Sequence, residues 1–271
     1  MVDSKSYAER HAAAAETFTK FSPGVEPERI ADSFTRRQGA LGSMAFDVVG
    51  AIWARPQLIR RDRSLLVISV LAAQARNDEL EAHTRIGLRN GLTRTEIEEI
   101  LLHVAAYAGY PAAMASSRVI DAALRAAEGV EKLSDRSAAA QKSDAERDRD
   151  AADVFRTING REAADPAANV ALMESMLGEV GIVAYRWAFG EIWSRPELSR
   201  RDRSIVVIAI LTSLGAVEEL AVHVPAGLRH GLSRIEIEEV VNHLSLYAGI
   251  PRAVEAMRAT RAAFKRMDEG A

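Results

Sequence analysis

The chain carries the same sequence twice. GAIWARPQLIRRDRSLLVI begins at Gly50 and GEIWSRPELSRRDRSIVVI at Gly190, and this offset of 140 residues holds without a gap to Pro111 and Pro251. About half of the positions in that stretch are identical, far more than shared composition gives, and the period is too long for a solenoid. Any fold proposed for one copy must therefore serve the other. At 271 residues each copy can bury a core of its own. The pattern predicts a first domain over 1–127, a polar, alanine-rich linker over 128–150 with a helical C-terminal end, and a second domain over 151–271. Upstream of the gapless stretch, 7–50 and 147–190 are less alike and differ by a small insertion.

Most exchanges between the copies are Leu/Ile/Val swaps of the kind a packed core tolerates. The polar residues kept in both are more informative. They include Arg55/Arg195, Arg61/Arg201, Asp62/Asp202, Arg63/Arg203, Glu79/Glu219, His83/His223, His103/His243 and Tyr107/Tyr247.

The periodicity is helical throughout. Ile97, Ile100, Leu101, Val104 and Tyr107 recur at helical spacing, and Thr93-Arg-Thr-Glu96 and Ser233-Arg-Ile-Glu236 both read as capping boxes. Gly91 and Gly231 mark helix ends, and Gly109–Pro111 and Gly249–Pro251 mark a stop followed by a new start. LLVISV and IVVIAI could pass for buried strands, but the runs are long and lack internal turn residues, so buried helices are expected over 62–75 and 202–214. Helices over 78–90 and 218–230 complete the pattern, and the expected class is all-α. Pro225 falls inside the last of these, where the first copy has Arg85. Unless that helix starts late, the proline should kink it.

Hydrophobic residues make up 48% and charged residues 27%, with a formal net charge of −3. This is the balance of a globular protein, without the basic surface that nucleic acid requires. The chain has no cysteine, which excludes disulfides, thiolate metal sites and thiol catalysis. No apolar run approaches the ~20 residues needed to cross a bilayer, and the polar start of the chain has no signal-peptide pattern. A cytoplasmic protein without membrane or nucleic-acid partners is expected.

Two residue pairs could carry chemistry. Glu79 and His83, repeated as Glu219 and His223, lie one helical turn apart, so the carboxylate could orient the ring and raise its pKa toward neutral. The same spacing also describes an ordinary surface pair. Glu99/His103 and Glu239/His243 share it, with the histidine among apolar neighbours, which favours a buried structural role. His83 and His103 match no standard zinc-ligand spacing, and no metal is expected. Arg61, Arg63, Arg201 and Arg203 could hold substrate carboxylates, or could knit a helix start to acidic neighbours or a second subunit. Trp53 and Trp193 read as core or interface anchors.

The ordered string IWxRPxLxRRDRS, ELxxH, GLxxGLxRxEIEE and HxxxYAGxP resembles the carboxymuconolactone decarboxylase family, over about 50–127 and 190–267. The resemblance implies the small helical fold shared with AhpD-like peroxidases, and assembly into trimers or hexamers. A duplicated chain would then form a homo-oligomer of three chains. The peroxidase branch carries CxxC ahead of the histidine, whereas here the segments read Arg76-Asn-Asp-Glu79 and Ala216-Val-Glu-Glu219, so a disulfide cycle cannot run. The resemblance assigns catalysis to His83 and His223, with Glu79 and Glu219 beside them. Arg85, Arg61, Arg63, Arg201 and Arg203 are the substrate-binding candidates. The implied substrate is a carboxylated lactone or similar acidic small molecule, in the protocatechuate branch of aromatic catabolism. Because the lactone ring is its own electron sink, no cofactor is required. A non-catalytic assembly protein and a thiol-free peroxidase are the competing readings. Loss of Arg85 at Pro225 makes the first copy the more family-like site.

Overall fold

The computed structural model describes residues 6–134, 138–160 and 165–270. Positions 1–5 of the polar start and 135–137 of the stretch read as a linker lie outside the described residues. Among the described residues the protein is all helix, and no helix is long and apolar enough to cross a membrane. Two compact units are present, Met1–Arg63 and Ser64–Ala271.

The first unit holds α1 (Tyr7–Phe21), α2 (Pro27–Gln38) and α3 (Ala40–Trp53), and opens α4 (Arg60–Ala73). Its core is aromatic. Phe18 stacks on Phe46 with ring centroids 4.7 Å apart, and the edge of Phe21 meets Trp53, also at 4.7 Å. Gly50 lets α3 close on α1, since a Cβ there would lie 2.3 Å from the Ala14 Cα.

The second unit contains the rest of the first copy and all of the second, so compactness does not follow the boundary between repeats. From the first copy come α5 (Asn77–Arg89), α6 (Arg94–Tyr107) and α7 (Tyr110–Glu128). The second copy begins with α8 (Asp144–Asn159), whose capping box, Ser143 with Glu146, lies inside the stretch read as a linker. It continues with α9 (Pro166–Leu177) and α10 (Glu179–Val183), which runs directly into a π-helical stretch, Ala184–Trp193. Then come α11 (Arg200–Leu214), α12 (Val217–Arg229), α13 (Arg234–His243) and α14 (Ile250–Asp268).

The apolar runs are helices, and α11 is buried from Asp202 through Ser213. A helix covered on every side needs no amphipathic stripe, which is why its sequence imitates a strand. Both capping boxes form, at Thr93–Glu96 and Ser233–Glu236. Pro225 does not delay α12, which covers the same register as α5 and simply runs through it. The amide lost there leaves the Ala221 carbonyl without its usual helical donor.

The small insertion is also accounted for. Gly39 and Gly178 both cap their following helix, whereas Trp53 and Trp193 both end it. The offset between copies thus grows from 139 to 140 within this one element. The extra residue is absorbed as a π-helical widening, leaving both ends in register.

Candidate active site

The site is built where α6 of the first copy meets α11 and the π-helical stretch of the second. Glu99, His103 and Tyr107 recur every fourth residue on α6 and share one face. Trp193 ends the π-helical stretch, Arg195 and Arg203 flank the start of α11, and His223 sits midway along α12.

Two polar clusters result. In the first, the buried Glu99 carboxylate accepts from Arg195 Nε at 2.9 Å and from Arg203 Nη2 at 2.9 Å. Arg203 also donates to the Leu198 and Arg195 carbonyls, and its Nη1 lies 2.9 Å from His103 Nε2. A guanidinium can only donate, so His103 Nε2 must be unprotonated and the ring neutral, with its proton on Nδ1. Burial, the Arg203 charge and nearby His223 together push the His103 pKa well below its ordinary value.

The second cluster is aromatic. Trp193 Nε1–H donates to the Tyr107 hydroxyl at 2.9 Å, and that hydroxyl lies 3.4 Å from His223 Nε2. Trp193 and His223 stack with centroids 5.8 Å apart, and Tyr107 meets the His223 ring edge-on at 5.5 Å and 79°. His223 is only 6% exposed. Burial, helped by His230, lowers its pKa to about 3. Burial likewise raises the Tyr107 phenol, against the bond from Trp193. Both groups are therefore neutral at pH 7.

The arrangement is reciprocal. His83, on α5 of the first copy, meets Tyr247 of the second edge-on at 5.6 Å and 83°, and burial lowers its pKa to about 4. Tyr247 in turn stacks on His243 at 5.6 Å. Each histidine of ELxxH therefore faces the tyrosine of the other copy.

Several expectations need correcting. Glu79 and Glu219 are exposed and make no hydrogen bond or ion pair with His83 or His223. One-turn spacing makes such a pair possible, but here each ring turns inward while its carboxylate stays in water. The histidine pKa values are lowered by burial, where a carboxylate partner would have raised them.

The arginines are also engaged elsewhere. Arg63 is buried and donates to the Leu58 and Arg55 carbonyls, at 3.2 and 2.6 Å. Arg61 pairs with Asp62 at 3.3 Å, and Arg201 pairs with Asp202 and Glu236. Arg85, on the surface of α5, holds Glu81 at 2.7 Å. For Arg203 the structure shows the knitting role, directed at the acidic face of the other copy. Among the described residues no group of three or more His, Asp or Glu side chains could hold a metal.

The model of the carboxymuconolactone decarboxylase family matches residues 40–122 and 182–262, more than half of the chain. The protein belongs to the carboxymuconolactone decarboxylase family. Its two matched regions are its two repeats. A 4-carboxymuconolactone decarboxylase from Acinetobacter baylyi is 45% identical over 80 residues, 30% of this chain and 60% of that protein. A nitrosuccinic acid decarboxylase from Metarhizium robertsii is 36% identical over 75 residues, 28% of this chain and 52% of that protein. The chain thus spans between half and two thirds of the curated relatives it matches. A solved Burkholderia xenovorans structure, provisionally described as a gamma-carboxymuconolactone decarboxylase subunit, aligns over 95% of this chain and 98% of its own. With a TM-score of 0.50 and 20% identity, it speaks to fold alone.

Two features of this family member were not assigned from its sequence. Tyr107 and Tyr247 stood among the retained residues without a role, because helical spacing cannot show which copy a side chain faces. His230, which bonds Ser204 at 2.8 Å and Thr157 at 3.0 Å and lies 5.6 Å from the Trp193 ring, was not singled out. Its counterpart Asn90 bonds Ser64 at 2.9 Å, so matching the copies position by position was the signal available.

Proposed function

We propose that the protein is a cofactor-independent decarboxylase acting on 4-carboxymuconolactone or a closely related acid, in the protocatechuate branch of aromatic catabolism. The observation that carries this reading is the buried neutral histidine beside a tyrosine from the other copy. Two decarboxylase relatives support it, and the names of their substrates point to shared chemistry. In a carboxylated butenolide the electrons left by CO2 flow through the ring alkene to the lactone oxygen. In nitrosuccinate they flow to the nitro group on the same carbon. Both reactions break one C–C bond, place the electron pair on oxygen and return a proton to carbon, with no external oxidant or reductant.

Such a reaction needs a dry pocket and a donor at the developing oxyanion. A neutral imidazole held out of water supplies that donor. An anionic substrate beside it favours the protonated ring, which can then deliver the proton to carbon. His83 and His223 take these roles. Glu79 and Glu219, being exposed and detached, take none.

Ultraviolet assay of carboxymuconolactone loss, with nitrosuccinate as the second substrate, tests the proposal. Turnover of either substrate, lost in the His83→Ala/His223→Ala double variant, is expected. No turnover of either, or turnover untouched by both substitutions, overturns it in favour of a non-catalytic assembly protein.

Assembly into a homo-oligomer of three chains is the second part of the proposal. Leu41, Met44 and Val48 form an exposed apolar stripe on α3, and Val180, Val183 and Trp187 repeat it in the second copy. Stripes at equivalent positions of both copies suit self-association. The Met44→Lys/Val183→Lys double variant is expected to show, by light scattering, the mass of one chain.

A further inference from the structure

We propose that Tyr107 is the positioning residue of the His223 site. Its hydroxyl, with the oxygen occupied by Trp193, donates to His223 Nε2 and confines the imidazole proton to Nδ1, the nitrogen that then faces substrate. Tyr247 of the second copy meets the His83 ring of the first with the same edge-on geometry. The role toward substrate rests on the decarboxylase reading, whereas the tautomer does not.

The argument is an accounting of donors. Indole N–H can only donate, so the 2.9 Å contact makes the Tyr107 oxygen its acceptor. The phenol hydrogen then needs an acceptor of its own, and His223 Nε2 at 3.4 Å is the one the structure offers. If Nε2 carried the proton instead, two groups would be stranded, the phenol hydrogen and the Nδ1 lone pair. With the proton on Nδ1, a single group lacks a partner.

That group is the Nδ1–H itself, which is buried and has no hydrogen-bond partner among the described residues. Leaving a buried donor unmade is costly in a folded protein, and such an atom calls for an explanation. A substrate oxygen that gains negative charge during reaction is a fitting acceptor. Low pKa values on the histidines match this use, because a neutral ring donates from one nitrogen only, and which one must be fixed. Tyr107 fixes it from the opposite copy, through the edge-on geometry that His83 and Tyr247 reproduce.

Protein with 15N-labelled histidine reports the tautomer directly by long-range 1H–15N correlation, the His223 signals being assigned by their loss in His223→Asn. The wild type is expected to show His223 protonated on Nδ1. Tyr107→Phe is expected to replace that pattern with the Nε2-protonated one. If that variant does not fold, the wild-type spectrum decides alone. A wild-type His223 protonated on Nε2, or a folded Tyr107→Phe variant that leaves its tautomer unchanged, overturns the proposal.

The activity arm uses a His83→Ala background, so that only the His223 site turns over. There Tyr107→Phe is expected to lower kcat by about ten-fold with little change in KM, the loss of one transition-state hydrogen bond. An unchanged kcat overturns the positioning role. Absence of turnover in the wild type overturns the decarboxylase reading instead, and the tautomer measurement still decides the proposal.

Discussion

The two copies differ most at their edges and least where they meet. The first copy enters its tryptophan through a regular helix, α3, and the second through a π-helical stretch one residue longer. In the first copy α6 runs unbroken to Tyr107. In the second, α13 ends at His243 and the chain reaches Tyr247 through turns, with Ser245 bonding back to the Asn242 carbonyl. Glu81 and Arg85 pair on α5, and their counterparts Ala221 and Pro225 are both apolar. Yet the edge-on contacts of His83 with Tyr247 and His223 with Tyr107 agree within 0.1 Å and 4°. Backbone has been rebuilt around a contact that was kept, which is expected if that contact serves the chemistry.

The largest effect that can break this symmetry is catalytic. If the two sites are equivalent, His83→Ala and His223→Ala should each leave roughly half of the turnover, and the double variant should lose about 10²-fold or more. If only the first copy works, His83→Ala alone should abolish activity. Steady-state kinetics on the three variants separates the cases.

The clasp between copies should show next, as stability. Among the described residues Glu99 is the one carboxylate paired with the Arg203 guanidinium, which is fully buried. Glu99→Ala therefore strands a buried charge, at a cost of about 3–5 kcal/mol in urea unfolding. Replacing a half-exposed acid such as Glu81 should cost well under 1 kcal/mol.

The duplication, the capping boxes and the helices over 62–75, 78–90, 202–214 and 218–230 were legible in the sequence, because each is a local pattern or a direct match. The site was legible only in part. ELxxH singled out the histidines that the proposed mechanism uses, but spacing within one helix also implied carboxylate partners that the fold turns into solvent. The real partners, Tyr107 and Tyr247, sit more than a hundred residues from the histidines they face, and no local pattern encodes such a pairing. The arginines stayed open between a substrate clamp and a knitting role for a related reason. A cluster such as RRDRS looks like a carboxylate clamp, yet the carboxylate that Arg203 meets is the protein's own Glu99.

Acidity offers a subtler comparison. His83 and His223, with pKa values of about 4 and 3, are neutral when folded and titrate near 6.5 when unfolded. Between pH 6.5 and those folded values the unfolded chain binds more protons, so stability is complete above 6.5 and falls as pH drops. The buried His223 contributes a slope of about 1.4 kcal/mol per pH unit there, and the partly exposed His83 somewhat less. His230 adds to the slope in the second copy, where burial and the Arg200 and Arg229 charges lower its pKa to about 4. Its counterpart, Asn90, cannot titrate. His230→Asn should thus make the two copies alike and flatten the slope by somewhat less than one proton, since the ring is partly solvated. Urea unfolding across that pH window measures the difference.

The smallest predicted effect bears on which copy is functional. Loss of Arg85 at Pro225 suggested a damaged second site, on the premise that Arg85 binds substrate. Arg85 instead lies on the surface with Glu81, at side-chain exposures of 39% and 47%, and the second copy has lost both partners together. Pairs of this kind are worth about 0.3–0.5 kcal/mol. Arg85→Ala should accordingly shift stability by no more than that and leave KM within about two-fold, as expected for a lost surface pair. A ten-fold rise in KM would return Arg85 to the substrate, and with it the case for a first copy that works alone. An unchanged KM leaves Pro225 as a proline the helix has absorbed, and removes the sequence difference on which the case for a damaged second site rested.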